Sequence, residues 1–115
     1  MRLDGAMLFV VDLVAMEAFY RHAVGFAPVE DTRLDDWVEF DTGTTRFALH
    51  AIPAHIGARA SPAPRESAGC KLILAVDDPA AARERLAAAG ATILERPWGW
   101  DFADPEGNVI GVRER

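Results

Sequence analysis

Cysteine and long apolar runs are both scarce in this sequence. Cys70 is the only cysteine among 115 residues, so no disulfide can form within the chain. A chain without disulfides is typical of a reducing compartment, and we therefore expect a cytoplasmic protein. No apolar run approaches the ~20 residues that a membrane-spanning helix needs, so we expect no membrane partner. The first 13 residues have no cleavage-like ending and predict a strand instead of a signal peptide.

Positive charge is scarce as well. The formal net charge is −6, and residues 1–57 hold nine acidic but only four basic side chains. Binding to nucleic acid requires clustered Lys and Arg, so we expect no nucleic-acid partner. Much of the acid lies in Glu30–Asp41. That stretch predicts either a solvated hairpin or an acidic surface that attracts cationic ligands.

Two segments that begin with Val-Asp share one plan, in which an apolar strand precedes a helix and a glycine follows it. Asp12 and Asp77 are 65 residues apart, and so are Gly25 and Gly90. Asp12, and either Asp77 or Asp78, are suited to cap the start of a helix. The glycines supply the left-handed residue at its end. The spacing therefore predicts an internal repeat.

Three strand candidates follow each predicted helix. They are FAPVEDT, WVEFDTG and TRFALHAI in the first half, and ATILERP, WGWDFAD and NVIGVRE in the second. Residues 53–69 are rich in Pro, Ala, Gly and Ser, which predicts a linker. The fold class is therefore predicted to be α+β, with two βαβββ modules at residues 1–52 and 70–115 in a single domain over residues 1–115.

Four pieces of the sequence resemble the vicinal oxygen chelate superfamily, which includes glyoxalase I, extradiol dioxygenases and bleomycin-resistance proteins. They are VVDLVAMEAFYRHAVGF, the second Val-Asp-Asp-Pro helix, RPWGW and DPEGNVIGV, which together span nearly the whole chain. The resemblance implies that the modules form an open cup-shaped mixed sheet around a ligand, with the helices on its outer face. It also implies a homodimer. Because this fold hosts many chemistries, the resemblance leaves the function open.

The metal-using members of that superfamily hold a divalent ion with four inward-facing His or Glu side chains on the first and last strands of the modules. Side chains alternate between the two faces of a strand. Ala6, Leu8 and Val10 form an apolar face in the first strand, so the first ligand position falls on Gly5. Glycine has no side chain to offer a metal.

The second module gives the same result. Its first ligand position falls on Lys71 if Leu72 and Leu74 face the helix, whereas an ungapped repeat would place it on Cys70. We prefer Lys71, because the apolar face then stays consistent, and an ammonium group cannot coordinate a cation. In the last strand the glutamate position is held by Gly111. Only His50 remains, and one histidine does not make a metal site, so we predict no metal and no cofactor.

The predicted cup is apolar and aromatic, as is usual for small-molecule sites. Trp98 and Trp100 either pack against the sheet or form a stacking wall for a flat ligand. The predicted ligand-binding residues are Met7, Phe9, Trp37, Glu39, His50, Lys71, Ile73, Trp98, Trp100 and Phe102.

Three classes of function fit this pattern. The preferred one is a metal-independent binding protein, not an enzyme, that sequesters a flat aromatic molecule, cationic or neutral, in a dimeric apolar cup. The resemblance to bleomycin-resistance proteins implies such a role. The alternative is a lyase or isomerase of the glyoxalase or dioxygenase type, in which His50 is the general base and Glu39 orients it. A regulatory or structural module, with a closed cup and no ligand, is the third.

Two further expectations concern assembly and origin. Open sheets leave strand edges that need a cover, which favours a dimer on physical grounds as well. The excess of Ala, and of Arg over Lys, favours a bacterial genome of high GC content.

Overall fold

A computed structural model of the chain describes residues 1–53, 55 and 62–115. The chain forms two compact units, Met1–Ala60 and Ser61–Arg115. Each unit contains a four-stranded mixed sheet and one helical segment, so the predicted α+β fold with two βαβββ modules is confirmed. The predicted linker lies partly outside the described residues. The single-domain organisation and the shared cup stay predictions.

The first unit contains strands β1 (Gly5–Val10), β2 (Ala27–Leu34), β3 (Trp37–Asp41) and β4 (Arg46–Ala51). Their order in the sheet is β1-β4-β3-β2, with β1 parallel to β4 and the other pairs antiparallel. Helix α1 (Leu13–Ala18) lies between β1 and β2 in the chain and continues as a π-helical segment, Phe19–Val24.

The predicted helix boundaries of the first unit are present. The Asp12 Oδ1 atom accepts a hydrogen bond from the Ala15 amide at 3.0 Å, which satisfies one of the unpaired donors at the start of α1. At the other end Gly25 has a φ of 93°, in the left-handed region that glycine adopts without strain.

The core of the first unit lies between the helical segment and one face of the sheet. Tyr20 is buried there, and its ring centroid is 4.9 Å from that of Phe47. Val10 is also buried, whereas Met7 and Phe9 on the other face of β1 are exposed. The predicted alternation of β1 is therefore confirmed.

The second unit contains β5 (Leu72–Val76), α2 (Pro79–Ala88), β6 (Thr92–Arg96), β7 (Gly99–Ala103) and β8 (Val109–Glu114). The strand order β5-β8-β7-β6 repeats that of the first unit, again with one parallel pair, β5 and β8. Of the two aspartates left open as caps, Asp78 is the one that caps α2, since its Oδ1 atom accepts from the Ala81 amide at 3.0 Å. Among the described residues, neither helix is long and apolar enough to cross a membrane.

The turn between β7 and β8 is organised by one buried carboxylate. The Asp104 Oδ1 atom accepts from the amides of Glu106 at 2.9 Å and Asn108 at 3.0 Å, and its Oδ2 atom accepts from the Asn108 side-chain amide at 2.7 Å. Three hydrogen bonds to one charged group fix the direction in which β8 leaves the turn.

We expect Asp104→Ala to lower the free energy of unfolding by about 2–4 kcal/mol, because it leaves buried donors without partners. Asp12→Ala removes an exposed helix cap and should lower it by only about 1 kcal/mol. Urea denaturation monitored by circular dichroism measures both values. Equal losses in the two variants would show that the Asp104 turn contributes no more to stability than the Asp12 helix cap.

Candidate functional site

The face of the first sheet opposite to its core, which we call the first open face, carries three rings and two other side chains: Met7, Phe9, Trp37, Glu39 and His50. Met7 and Phe9 are exposed, and the other three are half-buried. In the strand register Phe9 pairs with His50, which pairs with Trp37. The His50 ring centroid is 5.9 Å from that of Phe9 and 5.8 Å from that of Trp37. Phe9 is 60% exposed, so this row offers apolar surface to a ligand.

His50 has a carboxylate partner, but not the predicted one. Its Nε2 atom lies 3.2 Å from the Asp36 Oδ2 atom. The backbone carbonyl of Asp36 accepts from the Ala51 amide at 2.8 Å. This hydrogen bond holds the turn between β2 and β3 next to β4. Glu39 pairs with Ala48 in the register, and its carboxylate is 3.7 Å from Arg46. The prediction that Glu39 orients His50 is therefore wrong, because Glu39 belongs to the next row of the sheet.

Gly5 lies where the backbone leaves no room for a side chain. A Cβ atom built on Gly5 would be 2.7 Å from the carbonyl oxygen of Arg46 on the adjacent strand. No histidine or glutamate fits at this position unless the backbone of β1 or β4 moves.

In the second unit, Lys71 lies across Gly111. A Cβ atom built on Gly111 would be 3.1 Å from the Lys71 Cε atom, 3.4 Å from Ile73 Cγ1 and 3.5 Å from Asp101 Oδ1. Gly111 pairs with Ile73 on β5 and with Asp101 on β7. The two positions at which the resemblance implies metal ligands are thus adjacent, and the Lys71 side chain occupies the space at both.

The Lys71 ammonium group belongs to a chain of ion pairs. It donates to Asp101 Oδ2 at 2.7 Å, and the Arg96 Nε atom donates to the same oxygen at 2.8 Å. The Arg96 Nη2 atom also donates to the two carboxylate oxygens of Glu66, at 2.8 and 3.1 Å. Asp101 is only 1% exposed. A buried carboxylate is tolerated when it is paired and hydrogen-bonded, which two cations ensure here.

The pKa values in this cluster follow from its geometry. Burial alone would raise the pKa of Asp101, but the hydrogen bonds from Lys71 and Arg96 outweigh it, so the pKa is lower than usual. The hydrogen bonds to Asp101 and then Glu66 raise the pKa of Arg96. The Asp101 carboxylate and the Arg96 guanidinium are consequently charged at neutral pH.

Next to this cluster is a small cavity that includes an exposed ring. Its volume is about 230 Å³, and Trp98, at its edge, is 71% exposed. The Lys71 Nζ atom lies 5.8 Å from the centroid of the Trp98 ring, within the range of a cation–π contact. The cavity is lined by Arg65, Glu66, Ala68, Cys70, Lys71, Arg96, Trp98, Asp101 and Val109.

Two predicted ligand-binding residues are on the other face of the second sheet. Phe102 pairs with Ile110 and is 1% exposed, and Trp100 alternates with Asp101 in the same strand. Asp101 shares its face with Gly111, so Trp100 and Phe102 point away from Lys71. Both rings are predicted from the sequence to bind the ligand together with Lys71, whereas the structure puts them on the opposite face of the sheet. Their part in binding a ligand stays a prediction.

Sequence reasoning missed six charged residues around these two faces: Asp36, Arg46, Arg65, Glu66, Arg96 and Asp101. One signal for Asp101 was available. It is a lone acid between two aromatic residues in a strand, and acids are almost never fully buried unless they are paired. Its alternation with Trp100 and Phe102 would have placed the rings correctly as well.

The residues at the implied metal positions do not fit a divalent ion. Gly5 and Gly111 have no side-chain donor atoms, and the amine of Lys71 is hydrogen-bonded to Asp101. Within residues 1–53, 55 and 62–115, no group of three or more His, Cys, Asp or Glu side chains is placed to hold a metal.

Comparison with known proteins gives one family match. The family model of the glyoxalase-like domain matches residues 5–112. A search of the curated proteins finds no match.

Several solved structures are similar over almost all of their length. A protein of unknown function from Agrobacterium tumefaciens C58 is 29% identical, with a TM-score of 0.71 over 100% of this chain and 94% of that one. A glyoxalase/bleomycin resistance protein/dioxygenase family enzyme from Burkholderia phytofirmans PsJN is 25% identical, with a TM-score of 0.73 over 96% of each chain. TnmS3, an antibiotic binding protein from Streptomyces sp. CB03234, is 25% identical, with a TM-score of 0.69 over 99% of this chain and 95% of that one.

The lowered pKa of Asp101 predicts how acid affects stability. As the pH falls, the unfolded chain takes up this proton first, so the contribution of Asp101 is complete above the unfolded pKa, near ~4, and is lost below it. We expect the free energy of unfolding to depend less steeply on pH below about 4 in Asp101→Asn than in the wild type, because the variant lacks the uptake of this one proton on unfolding.

Lys71→Met removes one of the two cations that hold the Asp101 carboxylate and should give an intermediate slope. Urea denaturation at a series of pH values measures these slopes. Identical slopes in the wild type and Asp101→Asn would contradict the charge assignment.

Proposed function

Because the chain belongs to the family of glyoxalase-like domains, we propose that it binds a flat organic molecule without the help of a metal ion. One observation carries this proposal: the Lys71 side chain lies across Gly111 and is bound to Asp101, at the place where metal-using relatives are expected to have ligands. A cation that is part of the chain already neutralises the buried carboxylate there. A divalent ion would have to displace it.

Exposed aromatic rings support the proposal that the ligand is a flat organic molecule. Phe9 on the first open face and Trp98 at the cavity of the second unit are more than half exposed, and Trp37 flanks His50. Large exposed rings beside a few polar groups are typical of sites for flat ligands. TnmS3, which binds an antibiotic, has the same fold at 25% identity and is consistent with a binding role.

The first open face favours a positively charged or neutral group of the ligand. Asp36 and Glu39 bring two carboxylates to it, against one cation, Arg46. Attraction of this kind raises the local concentration of cations. We further propose a homodimer in the cytoplasm with no nucleic-acid partner, on the grounds of open strand edges, a lone cysteine and net negative charge.

We expect the purified, untagged protein to contain no stoichiometric metal and to bind neither nickel, iron, manganese nor zinc tightly. Elemental analysis followed by calorimetric titration measures this. Lys71→His combined with Gly111→Glu is the matched variant, because it replaces the ammonium group by two donors beside Asp101, and we expect it to bind zinc more tightly than the wild type. One tightly bound metal per wild-type chain would overturn the metal-independent function.

Exposed rings that stack on a ligand should matter for its affinity. We expect Trp37→Ala or Trp98→Ala to weaken the binding of a flat dye by about 1–3 kcal/mol. The dyes are anilinonaphthalene sulfonate, which is anionic, and acridine orange, which is cationic, and equilibrium dialysis measures their affinities. Val14→Ala, at an exposed apolar position in α1, is the control and should change nothing. If neither dye binds the wild type, the proposed function is wrong.

A second candidate function is catalysis by His50. The 3.2 Å contact between His50 and Asp36 favours it, because a carboxylate can hold an imidazole in the orientation of a general base. In this case a bound compound would be altered during incubation with the wild type but not with His50→Ala. Mass spectrometry of the recovered dyes distinguishes the two functions, since a binding protein returns them unchanged.

A further inference from the structure

The cavity of the second unit has a charge opposite to that of the whole chain. We call it the acid pocket and define it by its charged and aromatic members: Arg65, Glu66, Lys71, Arg96, Trp98 and Asp101. Three of these side chains are cationic and two are carboxylates, which leaves one positive charge in excess. A cationic ligand would meet three like charges in this pocket, whereas an anion would be attracted.

Donors for an anion are present at the mouth of the pocket. The Lys71 ammonium group has three N–H bonds, and Asp101 Oδ2 is its only hydrogen-bond partner in the part of the chain that the structure describes. The Lys71 side chain is 40% exposed, so its remaining donors can reach a ligand. Arg96 uses its Nε and Nη2 atoms for Asp101 and Glu66, which leaves the Nη1 amino group for the same ligand.

An aromatic surface lies directly beside these donors. The Trp98 ring is 71% exposed, and the Lys71 Nζ atom is 5.8 Å from its centroid. A planar ring stacked on Trp98 would therefore bring an acidic substituent next to the ammonium group. The cavity of about 230 Å³ is smaller than the roughly 300–1,000 Å³ that a drug-sized ligand needs, which favours a compact ring compound.

One buried acceptor in this pocket has no donor. The Asp101 Oδ1 atom is buried and has no hydrogen-bond partner within the described ranges, and it points to the space above Gly111 that the Lys71 side chain covers. Buried polar atoms are nearly always paired, and an exception marks a place where something else can bind. A hydroxyl group on the ligand could donate to Oδ1 once Lys71 turns towards the acid.

We propose that the acid pocket binds an aromatic carboxylic acid, with its ring on Trp98 and its carboxylate on Lys71 and Arg96. A ring hydroxyl that donates to Asp101 Oδ1 strengthens the binding. This inference rests on the proposed binding function and gives the second unit a ligand chemistry opposite to that of the first open face.

Four small ring compounds test the pocket on the full chain: benzoate, 3-hydroxybenzoate, neutral benzamide and cationic benzylamine. Isothermal titration calorimetry should show that benzoate binds at least tenfold more tightly than benzamide or benzylamine, and that 3-hydroxybenzoate binds more tightly still. Added salt should weaken the binding of the two acids, because their attraction to Lys71 and Arg96 is electrostatic.

Lys71→Met should abolish the preference for acids. Arg83→Gln is the matched control, because it also removes one positive charge, in a surface ion pair with Glu95 on α2 and β6, and should keep the preference. Lys71 is the only lysine of the sequence, so growth on lysine labelled with ¹³C at Cε gives a single labelled side chain whose ammonium group is unmodified. In the wild type its NMR signal should move on addition of benzoate and stay in place on addition of benzylamine. This second readout does not depend on how well the variant folds.

The outcomes separate the two proposals. If all four compounds bind with equal affinity, or if the Lys71 signal does not move on addition of benzoate, the acid-pocket proposal is wrong while the proposed binding function stands. If the four ring compounds fail to bind but the flat dyes bind, the acid pocket is again wrong alone. If neither the ring compounds nor the dyes bind, both proposals are overturned.

Discussion

The second unit depends on a single buried carboxylate. Asp101 is almost fully buried in the middle of a sheet, and it is charged there because Lys71 and Arg96 donate to the same oxygen. A buried charge without these partners would be strongly destabilising. The pairing draws the Lys71 side chain across Gly111, and it holds Arg96 where it also binds Glu66. The position of Lys71 over Gly111 and the position of Arg96 in the positive pocket are therefore two consequences of pairing with one carboxylate.

The two units have the same scaffold but opposite charge next to their rings. Both sheets have the same strand order and an aspartate-capped helix, with a core on one face. The first sheet presents rings, a histidine and carboxylates on its other face, whereas the second presents one ring beside an excess of positive charge. An internal repeat fixes the backbone but leaves alternate residues of each strand to vary without damage to the core. For this reason the fold is informative about the family and says little about the ligand.

The sequence was sufficient for most of the fold, because that part depends on local patterns. Asp12 before a helix and Gly25 after it are short-range signals, and the alternation of Met7 and Phe9 with apolar neighbours fixed the faces of β1. The candidate site was harder to predict from the sequence, since its contacts are long-range. Asp101 meets Lys71 from 30 residues away, and Asp36 reaches His50 through a loop whose path no local pattern specifies. Phe102 was misplaced because strand β7 was interpreted from its rings and not from its one acid.

The most direct test of this account is the behaviour of the Lys71 ammonium group when zinc is added. In the wild-type protein with ¹³C at Cε of Lys71, we predict that the lysine signal keeps its position throughout a zinc titration, because the ammonium group retains its ion pair with Asp101. A signal that moves until one zinc per chain has been added would mean that the metal displaces Lys71 from the carboxylate. That result would contradict the central claim that this member of the family binds its ligand without a metal.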